Sequence, residues 1–225
     1  MLVLCAWTIW PFRRRPREEL SQDAEVAGPA LDLVEWGIRL GMLGKPELAA
    51  QRLARAVKGN PGDPAAQYNL GLALDQMEQY SEAVECYTRA AEIVPESTDV
   101  RVNLGAALLA AGDRRGAIKE FKTAVELAPA DPAAWFGLGC AYLANHNFKK
   151  AVETFRKAVE ADPDDPEIRF NLAIALKKAG CPDLAEIELR AFLEMAGDRF
   201  PEHRACAERA LAAPKAEETA DGDTP

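Results

Sequence analysis

Two histidines and five cysteines carry most of the acid–base, nucleophilic and metal chemistry open to this chain of 225 residues. Neither His146 nor His203 stands beside a nucleophile or carboxylate pair suited to general acid–base work. His203 and Cys206 lie at i, i+3, one face of a helix, but two ligands do not make a metal site. Gly37, Gly41 and Gly44, and the pair Gly137 and Gly139, imitate phosphate loops without a preceding strand, so they read as close-packing glycines. The cysteines are odd in number and form no CxxC pair, which fits thiols in a reducing compartment. No enzyme, cofactor or metal is expected from these residues.

The elements that must position these side chains are helical. Apolar residues make up 48% of the chain and 42 residues are Ala, the best helix former and too small to fill a thick core. An all-α architecture of closely spaced helices follows. A net charge of -9 speaks against non-specific nucleic-acid binding.

Both ends stand apart. Residues 1–12, MLVLCAWTIWPF, are apolar and run into Arg13, Arg14, Arg15 and Arg17. Twelve helical residues reach about 18 Å, against a hydrocarbon core of roughly 30 Å, so this segment does not span a bilayer as written. Three readings stay open: an interfacial anchor with Trp7 and Trp10 at headgroup level, the tail of a longer spanning helix, or an extension without a role. Residues 13–29 read as a basic and polar linker, and residues 214–225 as an acidic, solvated tail.

Between the ends the chain repeats every 34 residues. The segments are 30–63, 64–97, 98–131, 132–165 and 166–197, each with two helical patterns and a closing break such as NPGDP, APADP or DPDDP. Place 8 holds Gly37, Gly71, Gly105, Gly139 and Ala173; place 20 holds Ala49, Ala83, Ala117, Ala151 and Ala185. Small residues recur where two helix backbones approach. Bulky ones stand beside them at place 24: Leu53, Tyr87, Phe121, Phe155 and Leu189. Pro61, Pro95, Pro129 and Pro163 are expected to end the second helices.

This pattern resembles the tetratricopeptide repeat family. The fourth segment carries it throughout, with Trp135, Leu138, Gly139, Tyr142, Ala151, Phe155, Ala158 and Pro163. The fifth departs, with Arg169, Ala173, Phe192 and no closing Pro. The resemblance implies a right-handed α-solenoid of five helix-turn-helix hairpins, and residues 198–213 read as a capping helix over the last apolar face.

The resemblance also implies a concave groove lined by the first helices. Its place 5 carries Val34, Tyr68, Val102, Phe136 and Phe170, and its place 6 carries Asn69, Asn103 and Asn171, with Gly137 in the fourth segment. An Asn amide both donates and accepts, so such a row can bracket the backbone of an extended peptide. Three Asn making two bonds each would supply roughly 3 to 9 kcal/mol before the cost of binding. Leu72 and Cys140 at place 9, and Lys177 and Lys178 beyond them, complete the expected lining. No Lys occupies place 5, so the cationic clamp that some relatives close on chaperone tails is not expected. The expected function is a non-catalytic adaptor taking a peptide or helix of a partner protein in the cytoplasm. The alternative is a membrane-tethered assembly factor held through residues 1–12, with self-association left open.

Overall fold

The computed structural model describes residues 33–212; the apolar start, the basic linker and the acidic tail lie outside the described residues. Eleven helices fill that range, with no strand among the described residues: α1 (Leu33–Met42), α2 (Pro46–Gly59), α3 (Pro64–Gln76), α4 (Tyr80–Ile93), α5 (Thr98–Ala110), α6 (Arg114–Leu127), α7 (Pro132–Ala144), α8 (Phe148–Ala161), α9 (Pro166–Lys178), α10 (Pro182–Ala196) and α11 (Pro201–Ala212). They form five antiparallel hairpins, α1/α2 to α9/α10, stacked into an all-α solenoid and closed by α11. Among the described residues no helix is long and apolar enough to cross a membrane.

The Asp-Pro pairs start the first helices. Pro64, Pro132 and Pro166 sit at the first helical position, where a missing N–H breaks no bond. The preceding Asp63, Asp131 and Asp165 accept from the N–H of Ala65, Ala133 and Glu167 at 2.9, 2.9 and 2.7 Å. The prolines that close the second helices act one residue earlier than expected. α2, α4, α6 and α8 stop at Gly59, Ile93, Leu127 and Ala161. The next residues, Asn60, Val94, Ala128 and Asp162, have left the helical region because a following Pro excludes it.

Within each hairpin the turn needs a left-handed residue at place 15. Gly44, Gly112 and Gly180 meet this with φ of +70°, +92° and +84°, while Glu78 and His146 adopt +61° and +59° despite their Cβ atoms. The two helices then close on one another. Ala83, Ala117 and Ala151 are fully buried. A Cβ at Gly139 would lie 2.6 Å from Cε1 of Phe155, so only Gly lets that ring rest on the α7 backbone.

Between hairpins, place 4 supplies a fastening that the repeat pattern alone did not disclose. Gln67 Nε2, Arg101 Nη2, Trp135 Nε1 and Arg169 Nη2 donate to the carbonyls of Pro61, Pro95, Pro129 and Pro163 at 3.1, 3.3, 2.8 and 3.2 Å. Arg169, a departure by residue type, therefore does what its counterparts do. Arg101 and Arg169 also pair with Glu120 and Glu188 at 2.7 and 3.2 Å, tying first helix to second. The cap extends the same register. Ala207, eighth from residue 200, is fully buried like its counterparts, whereas the bond to the preceding turn shifts by one place: Arg204 Nη1, fifth from residue 200, donates to the carbonyl of Gly197 at 2.7 Å.

Candidate concave groove

Apart from Val34, buried on α1, the residues expected to line the groove stand on the first helices α3, α5, α7 and α9, and the structure divides them into two sets. Tyr68, Asn69 and Leu72 on α3, and Val102 and Asn103 on α5, are half-buried and reach the surface. Phe136 and Cys140 on α7, and Phe170 and Asn171 on α9, are at most 4% exposed. Lys178 is exposed at the end of α9.

The burial of the second set corrects the expected lining. Phe136 lies against Phe155 of its own hairpin, ring centroids 5.9 Å apart. Phe170 is held between Phe192, at 5.0 Å, and His203 of the cap, which meets it edge-on at 4.7 Å. Phe136 and Phe170 at place 5 thus fill space between helices rather than offering a pocket. Gly137 breaks the Asn row for a similar reason: a Cβ there would run into the Phe121 ring of the preceding hairpin.

The amides are also partly committed. Asn69, Asn103 and Asn171 each donate Nδ2 to the carbonyl four residues back, that of Ala65, Asp99 and Glu167, at 2.8, 2.8 and 2.9 Å. Asn103 gives its second hydrogen to Tyr68 Oη at 3.0 Å, joining two neighbouring hairpins across the groove floor. Its amide donors are then used, which leaves its Oδ1, an acceptor, as the part of the amide not bonded within the groove floor. Such a floor suits N–H donors of an extended backbone.

Titration is displaced around this floor. Burial, with Asp99 adding to it, pushes the Tyr68 hydroxyl up to about 12, so it stays protonated and able to donate. Tyr87 packs against it, ring centroids 5.8 Å apart, with its hydroxyl buried and without a hydrogen-bond partner among the described residues. Toward the cap, burial and then Asp165 raise the Glu167 carboxyl to about 8, while burial lowers the His203 imidazole. Among the described residues no three His, Cys, Asp or Glu side chains group as a metal site. Sequence reasoning missed a second concavity, a cleft of about 410 Å³ between α4, α5 and α6 floored by the Arg101–Glu120 pair.

A stack of helical hairpins with one concave side of first helices defines an α-solenoid scaffold. Family models described as tetratricopeptide repeat match residues 64–97, 102–166 and 142–209, and the chain belongs to that family. No curated protein matches it by sequence. Among solved structures it is similar to MamA 41-end from Desulfovibrio magneticus RS-1, with 25% identity over 75% of this chain and 98% of that one, at a TM-score of 0.68. A thermophilic TPR protein of Thermus thermophilus, TTC0263, shares 24% identity over 80% of this chain and 98% of its own, at 0.65. YrrB, a TPR protein with an unusual peptide-binding site, shares 20% over 79% and 90%, at 0.65. These likenesses concern the fold.

Proposed function

We propose that this protein-interaction scaffold is non-catalytic and takes an extended segment of a partner protein against α3 and α5. The Asn103–Tyr68 bond carries the reading. It presets two adjacent first helices and leaves the amide oxygens of Asn69 and Asn103 as acceptors beside Leu72 and Val102, the arrangement that backbone N–H groups and small apolar side chains fit. The fold likeness to YrrB, a TPR protein with an unusual peptide-binding site, supports a peptide partner. Asp99 and Glu35, both exposed along this side, favour a partner segment that carries positive charge.

The test is selection of displayed peptides on the full chain, followed by hydrogen exchange of the chain with a selected peptide bound. Slowed exchange concentrated in α3 and α5 is expected. Protection confined to α6, α8 or α10 would place binding on the outer side and contradict the reading.

A further inference from the structure

The outer side of the solenoid is sharply divided by charge. α6 and α8, the second helices of the third and fourth hairpins, each carry four Lys or Arg against two Glu. Of the other second helices, α2 carries three Lys or Arg against one Glu, whereas α4 carries three Glu against one Arg and α10 four carboxylates against one Arg. In a chain of net charge -9 this is a local reversal. All eight cations are exposed, because Ala117, Phe121 and Ala124 in α6, and Ala151, Phe155 and Ala158 in α8, turn the opposite face inward.

Two observations say that this face is not merely a solvated surface. Arg114, Arg115, Lys149 and Lys150 stand in the first turns of their helices, where the helix dipole disfavours cations and where α2, α4 and α10 place an acid instead. Arg115, Lys122, Lys149 and Arg156 make no ion pair among the described residues, whereas Lys157 is paired with Glu160 at 2.7 Å.

We infer that this face docks on an anionic lipid surface. A shape-specific protein interface is built around a cluster of aromatic or aliphatic anchors, and α6 and α8 expose no aromatic ring and a single large aliphatic side chain, Leu127 at the end of α6. Flexible cations spread over two helices instead match mobile phosphate headgroups, which need charge without fixed geometry. The chain also holds an apolar run, residues 1–12, followed by Arg13, Arg14, Arg15 and Arg17. One short apolar insert gives weak attachment, and a polybasic face is the second signal that makes it firm.

The test is co-sedimentation of the full chain with vesicles of phosphatidylcholine, alone or with phosphatidylserine, for the wild type and the variant Arg115→Glu/Lys122→Glu/Lys149→Glu/Arg156→Glu. Residues 1–12 stay intact in both, and far-UV circular dichroism checks folding; the corresponding four Ala substitutions serve should the Glu variant unfold. Binding that needs phosphatidylserine, weakens with salt and falls at least tenfold in the variant is expected. Equal binding to both vesicle types, an unaffected variant, or retention by polyglutamate or single-stranded RNA but not by vesicles would overturn the inference.

Discussion

Asn103 on α5 donates to the Tyr68 hydroxyl on α3 at 3.0 Å, so a groove amide fastens two hairpins together. A single neutral bond of this kind contributes about 1 kcal/mol net. Tyr68→Phe and Asn103→Ala should each cost about that much in urea unfolding. Their double variant should cost less than the sum, by about 0.5 to 1 kcal/mol, because both remove the same bond. Strict additivity would show that the bond contributes nothing.

The left-handed turn residues offer a gain. Glu78 and His146 hold positive φ at a place where three other hairpins have Gly. Replacing His146 by Gly should relieve about 1 kcal/mol of backbone strain, offset in part by a more flexible unfolded chain. The midpoint of urea unfolding should rise for His146→Gly and fall for Gly112→Ala.

Overpacking tests the close approaches. Gly137→Asn would restore the Asn row yet drive a side chain into Phe121. A loss of about 1 to 3 kcal/mol is expected, and a similar loss for Ala117→Leu, where the alanine is fully buried.

Glu167 gives stability a pH dependence of its own. Its carboxyl is raised to about 8 in the fold, above the ordinary carboxylate value, so the folded state holds a proton that the unfolded chain has released. Its contribution is complete below about pH 4.5 and is lost as pH rises toward 8. Glu167→Gln should therefore change stability little at pH 4 and raise it at pH 8.5. Parallel pH profiles for the two proteins would contradict this placement of the carboxyl.

The helices, their pairing and the cap were legible because a short repeat writes the same packing solution five times: Gly139 under Phe155 and Ala151 at the crossing are visible as recurrence. The place 4 bonds were not, because Gln67, Arg101, Trp135 and Arg169 share no side-chain type, only a donor that reaches a proline carbonyl. The groove was half legible. Which of its residues reach the surface depends on neighbouring rings: Phe192 and His203 bury Phe170, and no spacing within α9 reveals them. Asn171 shows the same limit, since its type suits a ligand while its position is 1% exposed.

The most direct test of a peptide site on α3 and α5 is titration of one selected peptide against the wild type, Asn69→Ala/Asn103→Ala, and Asn171→Ala, with each variant first shown to be folded. The double variant should lose at least tenfold in affinity while Asn171→Ala binds as the wild type does. Full affinity in the double variant, or a loss confined to Asn171→Ala, would contradict the site.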